Sequence, residues 1–189
     1  MDHLLTSLNE QIKSEADQIL YNKGLHEMLK KYGTPHISGS YDLNLMTWRD
    51  LDIYLEVKEF SKKDFFLLGA DIETTLQPVK MHFRNELIAK TDGLPIGLYW
   101  GVYLGNERDG AWKIDIWCVD SNECGRLLNF CVVLKEKITA ESAIDIMTIK
   151  SQCWTDPQYR RTYTSSDIYT AVLEKGIRTI DDFRKTLLT

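Results

Sequence analysis

Along the N-terminal stretch, apolar residues recur at helical spacing: Leu4, Leu5, Leu8 and Ile12, then Ile19 and Leu20, with charged residues between them. This predicts helix from about Leu4 to Tyr32, interrupted at Gly24, with Gly33-Thr34-Pro35 as the stop. A short strand, His36 to Ser38, leads into Gly39-Ser40. The segment Asp50-Leu-Asp-Ile-Tyr-Leu-Glu-Val then alternates, so that Leu51, Ile53, Leu55 and Val57 face one way and Asp50, Asp52, Tyr54 and Glu56 the other. Helical spacing returns from Ser61, a candidate N-cap, to Thr75, and Gln77-Pro78 ends it. Residues Val79 to Ala89 fit strand and helix equally well.

Two strands, Ile96 to Leu104 and Trp112 to Val119, flank a turn containing Asp109-Gly110. On the second, Lys113, Asp115 and Trp117 share a face. Beyond Ser121 the pattern is mainly helical. A strong apolar stripe runs from Ser142 to Cys153 and is closed by Pro157. A helix from Ser166 or Asp167 to Lys175 stops at Gly176, and a last one from Ile180 to Leu188 takes Thr179 as its cap. These elements predict an α+β fold: a small mixed sheet flanked by helices, with a mostly helical C-terminal portion. The expected division is a core over residues 1–120 and a helical portion over 121–189 packed upon it.

Composition narrows the partners. The 189 residues are 43% hydrophobic and 27% charged, a balance that suits one globular domain. Twenty-eight acidic against 23 basic residues leave a net charge of -5, which speaks against a nucleic-acid polymer as the main partner. The N-terminus lacks a basic segment followed by an apolar run, so no secretory leader is expected, and no stretch is apolar enough for a membrane span. Cys118, Cys124, Cys131 and Cys153 show no CxxC spacing and no histidine close in sequence. The reading is therefore buried free thiols in a reducing cytoplasm rather than a disulfide framework or a zinc site.

The candidate chemistry lies between Ile37 and Leu55. A glycine after an apolar strand lets backbone approach a ligand closely, and the amides that follow, with the Ser40 hydroxyl, can donate to phosphate oxygens. Two aspartates at i and i+2 on a strand project side by side, which suits shared binding of hard, oxygen-preferring cations such as Mg²⁺. A Gly-Ser pair alone is most often a turn, and an Asp-x-Asp pair alone a solvated strand edge. The combination, with strand on both sides, is far more specific.

That combination resembles the DNA polymerase β-type nucleotidyltransferase superfamily, whose hallmark is an apolar residue, Gly-Ser or Gly-Gly, a spacer of similar length, then Asp-x-Asp. The resemblance spans about residues 36 to 120. It implies a third carboxylate on a later strand of the same sheet, and Asp115 in Lys113-Ile-Asp-Ile-Trp matches that position. The spacer, Tyr41 to Arg49, lacks the second glycine of many relatives, and Arg49 stands where they carry serine.

What the resemblance implies is Mg²⁺-dependent transfer of a nucleotidyl group, AMP from ATP first among them, to a hydroxyl of a small molecule or protein. Asp50, Asp52 and Asp115 would be the catalytic and metal-binding acids, with phosphates against Gly39 and Ser40. Arg49 and Lys113 are the candidate cations for the nucleotide, and an ion pair elsewhere is the competing role for Arg49. Trp117 shares the Asp115 face and could stack on a base, whereas Trp48, Trp100 and Trp112 read as core. Tyr159, Arg160, Arg161 and Tyr163 could rim the acceptor site or form a solvated loop. Two further readings stand beside the enzyme: an antitoxin-like or regulatory partner protein on this fold, and a degenerate member that binds nucleotide without turnover.

Overall fold

The computed structural model describes residues 2–188; Met1, where the reading for a leader begins, and Thr189 lie outside it. The N-terminal pattern folds as α1 (Asp2–Asp17), a π-turn (Gln18–Asn22) and α2 (Leu25–Leu29). The break falls at Gly24, whose φ of 78° is left-handed backbone that glycine adopts without steric cost. Then follow β1 (Thr34–Ser38), a single turn α3 (Gly39–Asp42) and β2 (Asp50–Glu56). Next come α4 (Lys62–Leu76), β3 (Lys80–Asn85), a second single turn α5 (Glu86–Ala89), β4 (Leu98–Tyr103) and β5 (Lys113–Val119). The remainder is helical: α6 (Ser121–Lys137), α7 (Ala140–Cys153), α8 (Ser165–Lys175) and α9 (Ile180–Thr186).

The expected caps do their work. Ser61 accepts from the Asp64 amide at 3.2 Å, Thr179 from the Asp182 amide at 3.2 Å, and Gly176 ends α8 with φ 67°. The ambiguous stretch from Val79 resolves into both of its readings in succession. Met81 and Phe83 pack from β3 onto the core, and Glu86 then turns inward, where it accepts from the Thr91 amide at 2.9 Å.

The five strands form one sheet in the order β1-β2-β5-β4-β3, with β2 and β5 parallel and every other pair antiparallel. On one face Leu51, Ile53, Leu55, Ile114 and Ile116 pack against Ile12 and Ala16 of α1, Leu29 of α2 and Leu68 of α4. Burial of each such side chain contributes roughly 1.5–3 kcal/mol, which makes this layer the main anchor of the sheet. The opposite face carries the polar half of β2. A second cluster lies beyond it: Ile146, Ile149, Ile168, Tyr169 and Phe183 of the C-terminal helices close around Leu43 and Leu45 of the spacer. The chain between Ser40 and Asp50 is therefore clamped between the two halves of the molecule. Among the described residues, no helix is long and apolar enough to cross a membrane.

Candidate active site

Strand register builds the acid row. Because β2 and β5 run parallel with Asp52 opposite Asp115, two aspartates distant in sequence become lateral neighbours, and Asp50 on the same face lies opposite Lys113. β1 delivers the glycine loop beside them, since Ser38 pairs with Asp52. Gly39 has φ 62°, and a Cβ built there would lie 2.1 Å from Asp52 Oδ2. Glycine is thus required twice, by the backbone conformation and by the carboxylate that fills the space.

The acids differ sharply in their partners. Asp50 Oδ2 accepts from the Arg160 guanidinium at 2.6 Å, while Oδ1 lies 3.7 Å from Lys113 Nζ, is buried and accepts no hydrogen bond. Asp115 is engaged by the Lys113 ammonium and accepts from the Tyr99 hydroxyl at 2.6 Å. Burial opposes ionisation of Asp50, but Lys113 and Arg160 outweigh it and hold its pKa below the usual carboxylate range. For Asp52 the balance reverses. Burial, reinforced by the charges of Asp50 and Asp115, pushes its carboxyl up to about 7. Burial also acts against the Lys113 ammonium, yet Asp50 and Asp115 raise its pKa above the ordinary value.

These carboxylates fit a hard divalent cation. The donor set is all oxygen, Asp50 Oδ1 is buried without a hydrogen bond, and the charges of Asp50 and Asp115 repel that of Asp52, a repulsion that a shared cation relieves. Two cavities flank the row. One, of about 200 Å³, opens over Gly39 and Ser40 and reaches Asp50, Asp52 and Tyr169. The other, an open groove of about 530 Å³, borders Asp115, Tyr99, Trp117, Arg84 and Arg160.

Of the residues singled out in the sequence, Gly39, Ser40, Asp50, Asp52, Asp115 and Lys113 are brought together, and Trp117 lines the larger groove against Tyr99, ring centroids 4.7 Å apart. Arg49 is not among them. It pairs bidentately with Glu15 of α1, at 2.5 Å and 2.8 Å, and donates to the Gly110 carbonyl at 3.3 Å. Alternation explains this: the residue before Asp50 points away from the acid face. Arg160 supplies the cation beside Asp50 instead, from the segment between α7 and α8. Its neighbours Tyr159 and Tyr163 are buried rather than solvated.

Lys150 is the residue that sequence reading passed over. Fully buried in α7, its ammonium reaches Ser40 Oγ at 3.0 Å, the Leu45 carbonyl at 2.8 Å and the Tyr169 hydroxyl at 3.4 Å, and lies 4.8 Å from the Trp48 ring centroid. Burial drives its pKa down to about 7 against the pull of Asp50 and Asp52. The signal was present: Lys150 follows Ile146, Met147 and Ile149 within the apolar stripe, where a lysine has no solvated face to occupy.

No protein-family model matches the sequence, and no curated protein matches it. Solved structures do. The Cid1 poly(U) polymerase, in a crystal structure with Mg and 3'-dATP bound, aligns with a TM-score of 0.54 at 15% identity, covering 89% of this chain and 54% of that one. A cytoplasmic RNA terminal U-transferase aligns with a TM-score of 0.56 at 12% identity, covering 90% and 54%. The chain spans about half the length of these structures. Likeness at this level establishes the fold, a mixed sheet flanked by helices of the nucleotidyltransferase type, as the Gly-Ser and Asp-x-Asp pattern implied.

Proposed function

We propose that the chain transfers a nucleotidyl group from a nucleoside triphosphate to an acceptor hydroxyl, with AMP from ATP as the donor chemistry and a small molecule or protein as the acceptor. The observation that carries this reading is the row Asp50, Asp52 and Asp115 set directly beside a glycine whose missing side chain makes room for Asp52. The triphosphate takes the smaller cavity, lined by Gly39 and the Ser40 hydroxyl, with the buried Lys150 ammonium held behind Ser40 at 3.0 Å. A phosphate there would restore the proton that burial takes from Lys150, so nucleotide binding and lysine charging are coupled.

Asp50 and Asp52, with Asp115, are the residues that would hold Mg²⁺. The bound ion supplies charge neutralisation at the triphosphate and at the attacking oxygen. The acceptor enters from the larger groove, on the Asp115 side. Its hydroxyl oxygen bonds to the α-phosphorus while the bond to the bridging oxygen breaks and pyrophosphate leaves. Asp115 takes the hydroxyl proton, with Tyr99 and Lys113 orienting its carboxylate. Arg160 holds Asp50 in line with the other acids.

An RNA 3' hydroxyl is the second reading of the acceptor. The fold likeness favours it, and so does the groove, where Arg84, Arg108 and Arg160 accompany Tyr99 and Trp117. The net charge of -5 favours the smaller acceptor. Calorimetric titration of ATP with and without Mg²⁺, on the wild type and on Asp50→Ala/Asp52→Ala, tests the donor site. Metal-dependent binding lost in the double variant is the expected result, followed by pyrophosphate release in an acceptor screen that includes oligoribonucleotides. Wild-type protein that binds no nucleoside triphosphate overturns the reading and leaves a partner-binding protein on this fold.

A further inference from the structure

At the far end of the acid-bearing sheet face, three side chains of different chemistry converge. His36 on β1 pairs with Tyr54, so Glu56, two residues further along β2, is its diagonal neighbour on the same face. His36 Nε2 lies 3.0 Å from Glu56 Oε2. Cys124, in the first turn of α6, completes the group, and one ligand atom from each of the three lies within 4.8 Å of the others.

The three positions are held by separate, well-tied pieces of backbone. The β1–β2 ladder runs unbroken from Thr34 opposite Glu56 to Ser38 opposite Asp52. The start of α6 is capped by Asp120, whose side chain accepts from the Glu123 amide at 2.8 Å and whose carbonyl accepts from the Cys124 amide at 2.8 Å. Ser121, in that same turn, donates to Glu56 Oε1 at 2.6 Å, which leaves Oε2 turned toward His36. A hydrogen bond to the free oxygen of a ligating carboxylate is the usual outer support of a metal site.

The donor set also discriminates. Imidazole, thiolate and carboxylate together suit Zn²⁺ and its borderline-soft neighbours, whereas Mg²⁺ takes oxygen alone. Cys124 is buried, while the His36 and Glu56 side chains are 29% and 31% exposed, so an ion can enter and a water can take the fourth place. We propose that His36, Glu56 and Cys124 form a binding site for one borderline-soft transition-metal ion, with zinc as the physiological class. An ion there ties β1, which ends at the glycine loop, and β2, which begins with the acids, to the helix that covers them. The site is separate from the acid row and from the proposed transferase reaction.

Cobalt(II) serves as the probe, titrated into reduced, metal-stripped full-length protein with excess Mg²⁺ present to occupy the acids. One equivalent should bind, with visible ligand-field absorption and a near-ultraviolet thiolate-to-cobalt charge-transfer band, and Zn²⁺ should displace it. Cys124→Ser should abolish the charge-transfer band, while Cys131→Ser and Asp50→Asn/Asp52→Asn should keep it. No thiolate band at saturating cobalt, or a band that survives Cys124→Ser, overturns the proposal. Should Cys124→Ser fail to fold, the part-exposed His36→Gln decides: cobalt affinity should fall at least about tenfold, as for loss of groups that hold a metal site. Unchanged affinity in that variant overturns the site equally.

Discussion

Replacement of Lys150 by methionine should stabilise the protein and weaken nucleotide binding at the same time. The Lys150 pKa falls from 10.5 to about 7 on folding. At about 1.36 kcal/mol per pKa unit, that places roughly 5 kcal/mol against the charged folded state. Methionine has similar length and no charge, so the variant escapes this cost. It gives up the hydrogen bonds to Ser40, Leu45 and Tyr169, and the Leu45 carbonyl left without Lys150 costs about 1–3 kcal/mol. The net expectation is a gain on the order of 2 kcal/mol at pH 7, in the range seen when buried charges give way to apolar residues of similar volume.

The pH dependence separates this cause from simple repacking. Between pH 7 and 10.5 the unfolded lysine binds a proton that the folded one has released. Stability of the wild type relative to Lys150→Met therefore rises with pH across that window and is flat below it. Urea unfolding at several pH values reads both quantities, and calorimetry with ATP and Mg²⁺ reads the functional half. There the variant should lose about tenfold or less in affinity, since Lys150 acts through the Ser40 hydroxyl that it holds at 3.0 Å and a typical hydrogen bond is worth about 0.5–1.5 kcal/mol. A methionine variant that is less stable at every pH, with nucleotide affinity intact, would falsify the argument and reduce Lys150 to a structural plug.

Three other outcomes follow from the site. Asp52→Asn should abolish transfer yet raise stability at pH 8 by up to about 4 kcal/mol, on the order of 10 °C in a melt, with no gain below pH 4. The sign follows because the folded carboxyl keeps its proton between pH 3.8 and about 7, so the wild type loses stability as pH rises through that range. Mg²⁺ should raise the wild-type midpoint at pH 8 and leave Asp52→Asn unmoved. Gly39→Ala places a methyl group where Asp52 Oδ2 lies and forces left-handed backbone on alanine; it should cost about 1–2 kcal/mol of stability and most of the turnover, and full activity would refute the packing argument. Arg49→Ala should cost about 0.5–1 kcal/mol through the half-exposed Glu15 pair and leave ATP affinity unchanged in calorimetry, whereas Arg160→Ala should weaken it; the reverse pattern would restore Arg49 to the site.

Much of this protein is determined locally and can be read from the chain. The alternation from Asp50 to Glu56 specifies a strand with one apolar and one acidic face, because side chains on a strand change sides at every residue. Caps at Ser61 and Thr179 and the stop at Gly176 satisfy helix ends within a few residues of themselves, so their meaning survives in isolation. The Gly-Ser pair and the Asp-x-Asp pair carry the fold for a related reason: both features act through backbone conformation and face. Tertiary structure alone decided what joins them across the sequence. Parallel pairing of β2 with β5 sets Asp115 against Asp52, and no local pattern encodes which strands become neighbours. Arg49 takes the ion pair elsewhere and Arg160 joins the acids because a side chain's partner is chosen by the elements that pack around it, α1 for one and the acid row for the other. Lys150 becomes part of the site only when α7 closes over the spacer, and His36, Glu56 and Cys124 meet only when α6 crosses the end of the sheet.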